Sequence, residues 1–142
     1  MGNPARGGFH HIDLNVSDLT ASKAVYGPVL EFFGYRYVKD EPEGCEWDLG
    51  PEGQGASLGL RLCDPALRGH AHERYAPGLH HLAWRAASRD EVDRLYDLLV
   101  GRGIRILDAP AHYPDYSGDY YAVFFEDPDG MKLEVVHAPG WV

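Results

Sequence analysis

The sequence predicts an α+β fold built from two βαβββ modules, and three observations lead to it. The dipeptide His-His opens two strand-like segments, "FHHIDL" at Phe9–Leu14 and "LHHLAW" at Leu79–Trp84. Each segment runs into a helical stripe, and each helix is followed by three further strand-like runs. A stretch rich in Pro, Gly and charge, "DPALRGHAHERYAPG" at 64–78, separates the two halves.

Alternation from Phe9 to Val16 predicts the first strand, with Ile12, Leu14 and Val16 on one face. Asp18 and Thr20 are candidate N-caps for a helix whose stripe begins at Ala21, Ala24 and Val25. Gly34 suits its end, because a left-handed residue there closes the last turn. "YRYV", "CEWDLG" and "SLGLRLC" then read as strands. The second module repeats the order. A strand runs through Trp84, Ser88 and Glu91 have capping-box spacing, and Val92, Leu95, Tyr96 and Leu99 share one helical face. Gly101 or Gly103 closes the helix before "IRIL", "YYAVFF" and "KLEVVH". Between the last two, "DPDG" at Asp127–Gly130 has Pro and Gly placed for a tight turn. A module of roughly 60 residues buries little core by itself. The expectation is therefore a single domain over 1–142, with module 1 at about 8–63, the linker at 64–78 and module 2 at about 79–137.

A chain of 142 residues can bury a sizeable core without disulfides or a structural metal. The net charge of −9 and pI near 5.2 argue against nucleic acid or an anionic membrane as partner. No stretch has the length and apolarity of a membrane span, and "MGNPARGG" lacks the apolar core of a signal peptide. Cys45 and Cys63 have no framework spacing and read as reduced thiols of a cytoplasmic protein.

Neighbours in a strand face opposite sides, so His10 goes with Ile12 and Leu14 under the helix, and His11 with Asp13 and Asn15 away from it. Likewise His80 goes with Leu82 and Trp84, and His81 with Ala83 and Arg85. Glu134 alternates with Leu133 and Val135 and also faces away from the helix layer. His11, His81 and Glu134 thus form a two-imidazole, one-carboxylate set for one divalent metal ion, suited to Zn, Fe, Ni, Co or Mn, in a concavity shared by both modules. The competing reading is two hydrogen-bonded, half-exposed histidine pairs and a solvent-facing glutamate.

The runs "HHIDLNVSDLTASKAVY", "GLHHLAW" and "VFFEDPDGMKLEVV" resemble the vicinal oxygen chelate superfamily. That group takes in glyoxalase I, extradiol dioxygenases, bleomycin resistance proteins, fosfomycin-resistance thiol transferases and methylmalonyl-CoA epimerases. The "EDPDG" turn with Glu134 four residues beyond it is the most specific piece. The resemblance implies paired modules whose curled mixed sheets form a shared metal-binding cleft, often in a dimer, with ligands at His11, His81 and Glu134. Three departures matter. Glyoxalase I takes a fourth ligand, Glu or Gln, from the last strand of module 1, where the inward positions here are Gly59, Arg61 and Cys63. Extradiol dioxygenases carry a tyrosine ten residues before the ligand glutamate, where this chain has Phe124, and a nearby histidine that "PDYSGDYYA" lacks. The thiol transferases want the same tyrosine and an arginine beyond the glutamate, and no arginine follows Glu134.

Around the triad, Asp13, Glu46 and Asp48 are the candidate general bases. Asp13 could equally anchor an imidazole or be a solvated strand-end residue. Arg61 could clamp an anionic substrate group, or pair internally with Glu46 or Asp48. The Tyr-rich loop "DAPAHYPDYSGDYY" is either a lid over the substrate or a packed surface loop, and Tyr120 and Phe124 are its candidate substrate contacts. "HAHER" at 70–74 reads as exposed or interfacial. The expected protein is a cytoplasmic, homodimeric, metal-dependent enzyme of lyase or isomerase type acting on a small oxygen-chelating substrate. The alternatives are an extradiol-type dioxygenase and a non-enzymatic drug- or metabolite-binding protein of the bleomycin-resistance kind.

Overall fold

The computed structural model describes residues 6–51 and 55–141. The start of the stretch read as lacking a signal core, residues 1–5, lies outside the described residues. The elements follow the predicted order: β1 (His11–Val16), α1 (Leu19–Phe32), β2 (Arg36–Glu41), β3 (Gly44–Asp48) and β4 (Ser57–Leu62) in the first half. The second half holds β5 (His81–Arg85), α2 (Arg89–Gly101), β6 (Ile106–His112), β7 (Tyr121–Glu126) and β8 (Lys132–His137). Each half makes one open four-stranded mixed sheet, β1-β4-β3-β2 and β5-β8-β7-β6. The chain divides into two compact units after His70, inside the predicted linker.

In unit 1 the apolar side of the sheet is Leu14, Val16, Leu58, Leu60, Cys45 and Trp47, all buried. The buried stripe of α1 is Ser22, Val25, Tyr26, Val29 and Leu30 rather than the predicted start at Ala21 and Ala24, and Ala24 is exposed. The helix tolerates Pro28 in its interior, and at Gly27 a Cβ would stand 3.6 Å from the buried Trp47 ring, in ordinary contact. Asp18 caps the N-terminus by accepting from the Ala21 N–H at 3.0 Å.

Both helices end in the same device. In α1, Gly34 has φ +86, its N–H donates to Glu31 O, and the Tyr35 N–H donates to Leu30 O. In α2, Gly103 has φ +69, its N–H donates to Val100 O, and the Ile104 N–H donates to Leu99 O. These are paired Schellman closures, so the closing residue of α2 is Gly103, not Gly101. At the start of α2, Ser88 accepts from the Glu91 N–H at 3.0 Å, while the Glu91 carboxylate returns to the Ala87 N–H rather than to that of Ser88. Val92, Leu95 and Leu99 are fully buried against sheet 2 with Tyr96 at the margin. The β7–β8 turn is fixed by Asp127, whose buried carboxylate accepts from the N–H groups of Asp129 and Met131 at 2.9 Å each. Part of the linker docks on this turn: the His72 N–H donates to Asp129 O at 2.8 Å, and His72 and Arg74 are half-buried while His70 and Glu73 are exposed.

Two expectations about β1 and β5 change. Phe9 is 84% exposed and precedes the strand, and His10 and His80 are exposed rather than packed under their helices. Strand alternation holds only where a ladder fixes the backbone, and the ladders begin at His11 and His81.

Candidate functional site

Sheet register decides which side chains share the polar face of unit 1. His11 lies level with Ser57 and Asp48, Asp13 with Gly59 and Glu46, and Asn15 with Arg61 and Gly44. These rows line a cavity of about 350 Å³ that includes His11, Asp13, Glu46, Asp48, Ser57 and Arg61. All three predicted bases therefore meet in one place. Gly59 makes room for this: a Cβ at that position would overlap Oδ1 of Asp13. The Asp13 carboxylate thus occupies the space where a side chain on β4 would project. Asp48 is bound by the Ser57 hydroxyl at 2.5 Å, and neither it nor Glu46 pairs with Arg61 among the described residues. The internal salt bridge weighed for Arg61 is not formed, and its guanidinium stays exposed at the cavity. His11 Nε2 stands 3.9 Å from Asp13 Oδ2, beyond hydrogen-bond reach.

Unit 2 holds a cluster of its own. On β8, Glu134 sits between Ala83 of β5 and Phe124 of β7, and its carboxylate is 1% exposed. A buried carboxylate needs partners. The Tyr120 hydroxyl donates to Oε2, and His81 Nε2 lies 3.0 Å from Oε1. Burial first, and then the bond to Glu134, push the Tyr120 phenol above its ordinary range. Burial pushes the Tyr113 phenol up as well, and the His80 imidazole is lowered by desolvation and by the neighbouring His81.

A cavity of about 290 Å³ opens beside this pair, lined by His81, Arg85, Tyr120, Glu134, Val136 and Trp141. Tyr120 packs edge-on to Trp141 at 5.6 Å and to Tyr116 at 5.1 Å, and Tyr113 stacks on Tyr116 at 5.7 Å. The loop tyrosines therefore form an aromatic wall of which Tyr120 is the member that meets the Glu134 carboxylate. Phe124 does not line the cavity. Its ring, on a residue 5% exposed, lies under Lys132 Nζ at 4.4 Å and against Tyr113 at 5.4 Å, so it supports the wall from behind.

An imidazole beside a carboxylate is a donor pair of the kind that suits a divalent ion. Two ligands about 2.1 Å from one ion and at right angles to each other lie about 3.0 Å apart. His81 Nε2 and Glu134 Oε1 have that separation. Among the described residues no three His, Cys, Asp or Glu side chains cluster as a ready cation site.

Arg85 and Trp141 belong to this site and had no role assigned from the sequence. Arg85 was recognisable as a same-face neighbour of His81, two residues on. Trp141 carried no signal, since it follows the last strand.

Known proteins resemble the chain over almost its whole length. The profile of the Glyoxalase/Bleomycin resistance protein/Dioxygenase superfamily matches residues 8–135. The chain belongs to that superfamily. It is 38% identical over 128 residues to the uncharacterized protein YqjT of Bacillus subtilis (strain 168), covering 89% of this chain and 96% of that one. It is 30% identical over 125 residues to the metallothiol transferase FosB of Lysinibacillus sphaericus, covering 88% of this chain and 78% of FosB. Among solved structures, one from Bacillus halodurans, described provisionally as a glyoxalase, superposes with a TM-score of 0.79 at 32% identity, over 94% of this chain and 97% of that one. The superfamily includes lyases, transferases and dioxygenases, and its members often use a divalent metal and act on small molecules. No described helix is long and apolar enough to cross a membrane.

Proposed function

We propose that the chain is a metal-dependent, homodimeric cytoplasmic enzyme acting on a small substrate that binds through one or two oxygens, by a lyase or isomerase step. The observation that carries the reading is Glu134: a carboxylate 1% exposed, held by Tyr120 on one oxygen and facing His81 Nε2 at 3.0 Å with the other. His81 and Glu134 would hold one divalent ion with His11 as third ligand, in one domain whose modules share the site. When bound, such an ion supplies Lewis acidity that polarises a substrate oxygen and favours developing negative charge there. The protein supplies the rest. Tyr120 holds Glu134 Oε2 and so keeps Oε1 directed at the site. Asp13, positioned over Gly59 and level with Glu46, is the base best placed to take a substrate proton, and Arg61 offers its guanidinium to an anionic group.

Two observations favour group transfer to a thiol as a second reading. Tyr120, whose hydroxyl reaches the glutamate from another position, would stand in for the tyrosine absent at Phe124. Arg85, level with Val136 in the neighbouring strand and lining the same cavity, would stand in for the arginine absent after Glu134. Similarity to a metallothiol transferase supports this reading.

Elemental analysis of untagged, chelator-free protein tests the proposal. Near-stoichiometric Zn, Fe, Ni, Co or Mn is expected, with loss of the ion in H81A and E134A. A wild-type protein that neither carries nor takes up a divalent ion would overturn it in favour of a non-enzymatic binder.

A further inference from the structure

Each module presents a contact that neither strand pairing nor helix packing requires. Nδ1 of His10 lies 2.9 Å from Nδ1 of His11, with the rings edge to face at 84°. Nδ1 of His80 lies 2.8 Å from Nδ1 of His81, at 76°. Two ring nitrogens at that separation share one proton, one donating and the other accepting. The contact uses up Nδ1 of His11 and His81 and leaves Nε2 as the free edge of each ring. That edge is the one facing the site: Nε2 of His81 meets Glu134 at 3.0 Å, and Nε2 of His11 lies on the Asp13 side.

We infer that His10 and His80 are positioning residues, each holding the following histidine through Nδ1 so that its Nε2 is presented to the site. The consequence for metal binding rests on the reading above; the ring geometry does not. Proton counting makes the role specific. When Nε2 of His81 gives its lone pair to a cation, the neutral ring keeps its one proton on Nδ1. That N–H must donate to a bare Nδ1 on His80, whose own proton then sits on Nε2. Without a cation, Nε2 of His81 carries the proton that meets Glu134, and His80 donates across the Nδ1 pair instead. Both arrangements hold two protons and keep the same ring orientation. Metal-bound imidazoles are ordinarily fixed at the far nitrogen by a carboxylate or a backbone carbonyl. Here a second imidazole takes that place in each module, and this accounts for a dipeptide rather than a single histidine at both strand starts. The Tyr75 ring, edge-on to His80 at 5.4 Å, supports the partner in unit 2.

Two measurements test the inference, on full-length protein. In protein labelled with nitrogen-15 in its imidazole rings, a through-hydrogen-bond coupling between the paired Nδ1 atoms is expected, with or without metal. Its absence from both pairs would overturn the inference. Zinc affinity by competition titration is then compared in H80A and H80N, and in H10A and H10N. Both partner residues are exposed, so the substitutions leave the core intact. The alanine variants should bind zinc about 10–100-fold more weakly. The asparagine variants, whose Oδ1 can accept where Nδ1 did, should recover most of the loss. Alanine variants that bind as tightly as wild type, or asparagine variants no better than alanine, would refute the role. If wild-type protein takes up no zinc, the metal reading fails, and the coupling alone decides the inference: present supports it, absent refutes it.

Discussion

At the scale of single residues, Tyr120 is the residue that holds the Glu134 carboxylate. Burial first, and then its hydrogen bond to Glu134, hold the phenol in its neutral form. The folded state therefore raises its pKa above the unfolded value of about 10. The resulting stability is fully present below pH about 10 and is lost as pH rises from there toward the folded pKa, because the unfolded chain ionises first. In an alkaline ultraviolet titration Tyr120 should be the last phenol to ionise. Y120F should remove that final step and leave the earlier ones; a final step that survives in Y120F would show that another tyrosine carries it. The exchange between Phe124 and Tyr120 follows the same chemistry. A hydroxyl is needed at the buried carboxylate, and a loop residue 14 positions before Glu134 delivers it while position 124 stays apolar and packs against Tyr113.

At the scale of elements, β4 shows how register turns a strand into part of a site. Its alternation places Leu58, Leu60 and Leu62 toward α1, and Ser57, Gly59 and Arg61 toward the polar cavity. Gly59 is the gap through which Asp13 reaches across. Gly59→Ala should displace the Asp13 carboxylate rather than the backbone, because the overlapping atom is the end of an exposed side chain. The cost in urea unfolding should stay below the about 1–3 kcal/mol of overpacking a rigid core. The carboxyl carbon resonance of Asp13 should move. A large stability loss with that resonance unchanged would mean that Asp13 does not lie over Gly59. The helix ends were legible beforehand because capping is local. Asp18, Ser88, Gly34 and Gly103 act within one turn of their own positions.

At the scale of the whole molecule, the ion proposed above would link a ligand of unit 1 to ligands of unit 2. A ligand present at 100-fold its dissociation constant stabilises by about 2.7 kcal/mol. For a chain of this size that corresponds to a melting shift on the order of 5–10 °C. Stripping metal with a chelator should lower the melting temperature by that amount, and adding the ion should restore it. H11A and H81A should both abolish the shift. If H81A abolishes it and H11A does not, the ion is held within unit 2 and His11 has another role.

The sequence by itself determined the repeated βαβββ order, the cap positions to within two residues, the buried faces of both sheets and the polar faces that carry His11, His81 and Glu134. All of these follow from periodicity, turn chemistry and composition within a few residues, which is information a chain carries locally. Tertiary structure alone decided that Asp13 lies over Gly59, that Tyr120 rather than Phe124 serves Glu134, that Arg61 pairs with neither Glu46 nor Asp48, and that each His-His pair is joined through Nδ1. It also decided that His10 and His80 escape the helix-facing side predicted for them, since pairing starts one residue later. These facts depend on rotamers and cross-strand register, which arise only when segments far apart in the chain are packed together.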